Sequence, residues 1–392
     1  MSGIQKNPMT PLIRRNAVSS SATGPMFGSV ADDPPFLSPE WLALFDAACA
    51  DAEELGFTLW LYDQIGFSGA NFQGRLIAAE PGFAGQALYR TEREGTDVSV
   101  TAPAGHDPLA AYAVLENGER VAVPLEDGAA RWVGPPARVT LVHAGTSGFD
   151  YFSRQACAAL LDQVHGTLEK AVGHWFGRSV GGFFQDELPP MPTWGRDFAA
   201  TFADEYGYDL RPRLWALWEP DPSAEAARMR HDYHAHRATL ARRGFFDQHD
   251  AWFADRGLVC GFDQASPARE GDPVGGVHTY GDYLGLHRGY GAPGSDHWGD
   301  AKVHSSLAHA NGYERVWIEA FHSSAGAARS RRPTTGSRRS CAAAPPSTTR
   351  TPSTTPPSAA GGSGRRRPPA GASRTGRPTR CSPRPSRASA PC

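Results

Sequence analysis

Past Glu319 the chain has no acidic residue, and from Ser323 to Cys392 it also lacks Val, Ile, Leu, Met, Phe, Trp, Tyr and Lys. Only Ala, Cys, Gly, Pro, Arg, Ser and Thr remain. Residues 323–392 therefore cannot bury apolar area against the entropy of ordering, and disorder is expected there. All seven residue types are reached from GC-rich codons, which points to a shifted reading frame more than to an arginine tail for an anionic partner. The 14 basic residues beyond Glu319 are all arginines, leaving 25 basic against 41 acidic side chains in the first 319 residues. So acidic a body argues against nucleic acid and anionic membrane as partners.

Other scarcities narrow the class further. Cys49, Cys157 and Cys260 stand singly in apolar segments, as buried thiols of a reducing compartment do, and make neither a disulfide framework nor a zinc motif. No run approaches the roughly 18 apolar residues of a membrane helix. The start, MSGIQKNPMTPLIRRNAV, lacks the apolar core of a signal peptide, so a cytoplasmic location is expected by default. There is no G-x-G-x-x-G after a strand and no phosphate-loop motif, and no nucleotide or redox cofactor is expected.

What is present is a recurring unit. Ser38-Pro39 opens a helix with Trp41, Leu44, Phe45, Ala48 and Leu55 on one stripe; Gly56 ends it, and the strand from Phe57 to Tyr62 delivers Asp63. A helix over 152–172 is followed by Gly177 and the strand Val180 to Phe184, which delivers Gln185, Asp186 and Glu187. A long helical pattern over 224–255 ends at Gly257 before Leu258 to Phe262, delivering Asp263 and Gln264. The last helix, 301–311, precedes Arg315 to Ile318 and Glu319. Four helix–glycine–strand units, each ending in a carboxylate, predict a parallel sheet covered by helices, and specifically a (β/α)8 TIM-type barrel with its site at the C-terminal strand ends. The expected domain plan is an irregular segment 1–35, a barrel 36–322 carrying a small antiparallel insertion near 91–143, and the disordered tail 323–392. The insertion is signalled by alternating apolar residues and by the turns Asn117-Gly118 and Asp127-Gly128.

The chemistry follows from the strand ends. Residues i and i+2 of a strand share a face, so Glu187 is expected with Gln185 and Phe183, Asp186 on the opposite face, Asp63 with Leu61, and Glu319 with Trp317. Paired carboxylates flanked by aromatic rings are what glycoside hydrolysis needs: one acid protonates the leaving oxygen while the other activates water or attacks the sugar. Trp60, Trp175, Trp194, Trp298 and Trp317 offer faces for a sugar ring. The competing reading is that such acids only pair with arginines or cap helices, and it weakens when four strands do the same thing. The Gly- and Tyr-rich stretch from Tyr280 to Asp296 could equally be a sugar subsite or a plain connection, and Asp296 and Asp300 could serve an oxygen-ligated cation such as Ca2+. His231, His234 and His236 sit in a helical pattern, and a solvated helix face is expected there in preference to a metal site.

At these residues the chain resembles the α-L-rhamnosidase-like glycoside hydrolases related to family GH106. The stretches that carry the likeness are FLSPEWLALFDAACADAEELGFTLWLYDQIGFSGANFQGRL, GGFFQDELPPMPTWGRDFAATFADEYGYDLRPRL and GSDHWGDAKVHSSLAHANGYERVWIEAF, in that order, over about residues 33–90 and 148–322. The resemblance implies a catalytic barrel, a carbohydrate substrate, inversion at the anomeric carbon and often a Ca2+ ion near the site. It makes Glu187 the general acid and Glu319 either base or metal ligand, with Asp186 and Glu319 the metal candidates. Asp63, Asp186, Trp194, Asp263, Asp296 and Trp317 are expected to bind substrate. The chain departs from the family at Gln64, which stands where an acid is usual. It also lacks a recognisable first barrel unit before Phe36 and, beyond Phe321, the closing units, so the barrel is expected to be incomplete. A truncated, non-catalytic remnant and a sugar-binding module are therefore the alternatives.

Overall fold

The computed structural model describes residues 34–66, 70–264, 279–295 and 301–318, with only the backbone of Asp263 and Gln264. The expectations for 1–33, for Asp296, Trp298 and Asp300, and for Glu319 and the tail lie outside the described residues. Local chemistry explains how the first unit begins. Ser38 accepts the Trp41 amide on its hydroxyl at 3.1 Å, Pro39 occupies the first turn, and helix α1 runs Pro39–Glu54 with Trp41, Phe45, Ala48, Cys49 and Ala52 buried. Gly56 then takes φ +66°, which an L side chain resists. Strand β1 is Leu59–Tyr62 and α2 is Phe72–Ala79. Strands β2 Ala84–Thr101, β3 Asp107–Leu115, β4 Arg120–Val123, β5 Leu125–Glu126 and β6 Ala129–Phe149 follow.

The helix of the second unit is α3, Arg154–Leu161, continued through a π-helical turn, Asp162–Gly166, into α4, Thr167–Val172. Strand β7 is Val180–Asp186 and α5 is Phe198–Tyr206. The helix of the third unit is likewise interrupted: α6, Ala224–Ala241, passes through a π turn, Arg242–Phe246, into α7, Asp247–Asp255. Then come β8 Val259–Gln264, the short α8 Tyr283–Leu286, β9 Ala292–Ser295, α9 Ala301–Asn311 and β10 Trp317–Ile318. No helix among the described residues is long and apolar enough to cross a membrane.

The strands make two sheets. One is parallel, in the order β1-β7-β8-β9-β10; the other is antiparallel, β2-β6-β3-β4, with β5 on β6. The (β/α)8 barrel expectation is overturned: among the described residues the parallel sheet has five strands, and no ladder joins β1 to β10. Alternating helices and strands dictate parallel pairing but carry no information about strand number or closure. The antiparallel part is also larger than a small insertion, since the β2–β6 ladder runs from Ala84 opposite Phe149 to Thr101 opposite Ala129.

The two faces of the parallel sheet differ in chemistry. Leu61, Phe183, Cys260 and Phe262 pack with Leu160, Val164, Leu168, Val172, Phe245 and Phe253 of the covering helices. By register the opposite face carries Trp60, Tyr62, Phe184 and Trp317. Phe184 stacks on Tyr62 at 4.9 Å and on Trp317 at 4.8 Å. Glycine makes room for this row. A Cβ on Gly182 would lie 2.7 Å from the Trp60 ring, and one on Gly261 would lie 2.7 Å from the Trp317 ring. A second core joins Val142, Ala144 and Tyr112 of the antiparallel sheet to Phe198, Phe202, Met229 and Tyr233.

Candidate active site at the strand ends

Parallel pairing brings the C-terminal ends of the strands to one edge. Asp186 lies opposite Asp263, which lies opposite Gly294, while the Asp63 amide follows β1 and donates to the Phe184 carbonyl at 3.2 Å. Acids from β1, β7 and β8 thus close three consecutive strands of the sheet.

Asp63 is fully buried and heavily bonded. Its Oδ1 accepts the Ile65 amide at 2.9 Å; its Oδ2 accepts from His165 Nε2 at 3.2 Å and from Gln185 Nε2 at 3.1 Å. Because a carboxylate accepts, the His165 proton is on Nε2 and the Gln185 amide nitrogen faces Asp63. The Gln185 Oε1 then accepts from Tyr290 Oη at 2.8 Å. Tyr290 is buried and stacked on Phe262 at 3.8 Å, and burial pushes its hydroxyl pKa well above the ordinary phenol range. Beside this chain Gln73 Nε2 donates to Ile65 O at 2.6 Å and to Tyr151 Oη at 3.0 Å. Gln64 adopts φ +59°, and Gly66 meets the end of β7 so closely that a Cβ there would fall on the Asp186 carbonyl oxygen.

Strand β7 ends at Asp186, so strict alternation stops before Glu187. By register Asp186 shares the ring-bearing face with Phe184, while Gln185 shares the helix-side face with Asp63 and Phe183. Glu187 is half-buried and follows immediately. Tyr280 donates to the Leu188 carbonyl at 3.0 Å, and its pKa is raised by burial first, then by Glu187, with Asp186 adding to the effect. Both carboxylates therefore act on this tyrosine.

Two tryptophans expected at the substrate take different places. Trp317 is 7 % exposed in the aromatic row, stacked on Phe184. Trp194 is 4 % exposed and stacks on Phe198 at 4.8 Å in the second core, so it packs the antiparallel sheet against its helices. Asp263 is placed by its backbone, and Glu319 and Asp296 lie outside the described residues. Sequence reading missed His165, and it marked Tyr290 only as part of the Gly- and Tyr-rich stretch from Tyr280 to Asp296. The signal for His165 was a titratable residue on the stripe of Leu161, Val164 and Leu168, but helical spacing alone does not show which buried acid it faces.

Among the described residues no group of three or more His, Cys, Asp or Glu side chains could hold a metal ion. Of the two metal candidates Asp186 is described and Glu319 is not. On α6, His231 is exposed beside Asp232, matching the solvated face expected of it. His236 is instead buried, between Thr201 Oγ1 at 3.0 Å and Glu205 at 3.1 Å. Cys49, Cys157 and Cys260 are buried free thiols, and burial raises the pKa of each.

No protein-family model and no curated protein matches the chain. Among solved structures, a rhamnosidase from Novosphingobium sp. PP1Y is similar at 13 % identity and a TM-score of 0.47, over 73 % of this chain and 47 % of that one. The chain thus spans under half of the rhamnosidase's length. A likeness of that size carries no argument about chemistry, which has to come from the side chains.

Proposed function

We propose that the chain is a glycoside hydrolase that cleaves a terminal, α-L-rhamnoside-like sugar by carboxylate acid/base catalysis with inversion. Glu187 is the general acid and passes its proton to the glycosidic oxygen as the bond to the anomeric carbon breaks. Glu319 takes a proton from the water whose oxygen attaches to that carbon. Asp186, Asp263 and Asp296 bind sugar hydroxyls, and Trp317 backs the site from within the aromatic row. Support comes from the GGFFQDELPP stretch and its family resemblance. The single observation that carries the reading is the register of the sheet, which sets Asp186 beside Asp263, next to the strand end of Asp63, with Glu187 immediately following.

The test is turnover of aryl α-L-rhamnosides by the full chain and by Glu187→Gln. The variant should lose about 10²–10⁴-fold in kcat at an unchanged Tm. The loss should be smaller for a dinitrophenyl leaving group, which needs less protonation. Undiminished turnover in Glu187→Gln would sink the assignment. A second reading, a sugar-binding module, is favoured by the row Trp60, Tyr62, Phe184 and Trp317. It predicts rhamnoside binding without turnover in the wild type.

A further inference from the structure

Asp63 was expected to touch substrate, but its surroundings give it other work. It has no exposed surface, and both of its oxygens accept hydrogen bonds, from Ile65, His165 and Gln185. Its three partners come from the loop after β1, the π turn between α3 and α4, and β7; Tyr290, just ahead of β9, completes the chain through Gln185.

We propose that His165, Asp63, Gln185 and Tyr290 form a buried positioning network that fixes the Asp186–Glu187 strand end, and that Asp63 acts through it without contacting the sugar. The proposal rests on the reading of Glu187 as general acid. Gln185 precedes Asp186 directly, and its amide is held at one end by the Asp63 carboxylate and at the other by the Tyr290 hydroxyl. Rotation of that amide would therefore break two bonds at once. The Asp63 loop also lies against the Asp186 backbone at Gly66, and the Asp63 amide pairs with Phe184. The ends of β1 and β7 are thus tied by backbone and side chain together. His165 reaches this tie through one nitrogen, with Nδ1 unpartnered among the described residues and its ring among Phe183, Trp252 and Phe253. Its specific contribution is the Nε2–H to Asp63. A misplacement of roughly 1 Å at a reacting group costs on the order of 10²-fold in rate, so loss of this donor should register in kcat.

The experiment compares wild type, His165→Phe, His165→Gln and Tyr290→Phe in the full chain. It measures kcat and KM for an aryl rhamnoside, and amide hydrogen exchange over residues 63–66 and 184–188. His165→Phe keeps a ring and removes the donor; it should lower kcat by about 30–100-fold with KM within about twofold, and speed exchange in those two segments while leaving β6 unchanged. His165→Gln, which retains a donor, should recover most of both effects. Tyr290→Phe deletes one hydroxyl and should shift both in the same sense by a smaller factor, which keeps the test decisive if His165→Phe does not fold. Unchanged exchange at 184–188 in both the His165→Phe and Tyr290→Phe proteins would overturn the network. So would a fall in Tm with kcat intact. If the wild type shows no turnover while local exchange rises in the variants as expected, the positioning role stands and the glycosidase reading falls instead.

Discussion

Single residues set the tightest constraints, and glycine at the centre of the parallel sheet is the clearest. Gly182 sits in β7 between Trp60 and β8; a Cβ there would lie 2.2 Å from the Val259 carbonyl oxygen and 2.7 Å from the indole. Neither distance is a contact that real atoms make, and the first neighbour is backbone of an adjacent strand. Gly182→Ala should therefore cost about 1–3 kcal/mol, by forcing β7 away from β8 or the indole out of its stack. Urea unfolding with tryptophan emission would register it, and a midpoint equal to wild type would show that the sheet yields freely there. The sequence displayed Gly181-Gly182 inside an apolar run, but not the reason, because the indole that requires it belongs to a strand 122 positions earlier. The same holds for Asp63. Its place at a strand end was readable from Phe57 to Tyr62, whereas its role depends on His165 and Gln185, more than 100 residues away along the chain.

Elements were easier to read, because their signals are local. Ser38-Pro39, Gly56, Gly177, Gly257 and Gly312 mark helix starts and helix or loop ends that the backbone respects, and 301–311 is helical as expected. Strand β9 escaped notice: Ala292-Pro-Gly-Ser295 has no β-branched or aromatic residue, and its strand geometry is imposed by neighbours β8 and β10. The π turns escaped as well, since one extra residue per turn leaves no mark on the apolar spacing around Leu160, Leu161, Val164 and Leu168. The cap of α3 offers a test at this scale. Ser153 Oγ accepts the Ala156 amide at 3.2 Å, and α3 leads directly into the turn that holds His165. Ser153→Ala should lose about 1 kcal/mol of stability in chemical denaturation. Ser153→Asp, which restores an acceptor and adds charge at a helix N-terminus, should regain it. Equal stability of both variants with wild type would mean that the cap contributes nothing.

At the scale of the whole molecule, the helix–strand alternation was read correctly as parallel pairing and wrongly as an incomplete (β/α)8 barrel, and the same packing creates an acid sensitivity that composition does not reveal. His249 is buried among Phe245, Phe253 and Tyr290, and its pKa is pushed down from 6.5 to about 3 by burial first and His165 second. His287 is likewise lowered to about 3 by burial, then His304, against the pull of the Tyr283 and Gly294 carbonyls. His143 and His236 are lowered as well, by burial first. A histidine held neutral in the fold gives stability that is complete above its unfolded pKa of 6.5 and is lost as pH falls toward the folded value, because the unfolded chain takes up the proton. Asp250 has the opposite sign. Burial and Asp247 raise it from 3.8 to about 7, so its contribution is present below 3.8 and is lost as pH rises through 7. Asp150 is raised by burial as well, but the histidines outnumber the two acids, and between pH 4 and 6 stability should fall on acidification by on the order of 1 kcal/mol per pH unit for each uncompensated proton. Urea midpoints should accordingly fall from pH 6.5 to pH 4. His249→Phe should flatten that fall, and Asp250→Asn should steepen it by removing an opposing group. A midpoint that rises on acidification, or one that His249→Phe leaves with the same slope, would mean that these imidazoles are charged in the folded protein.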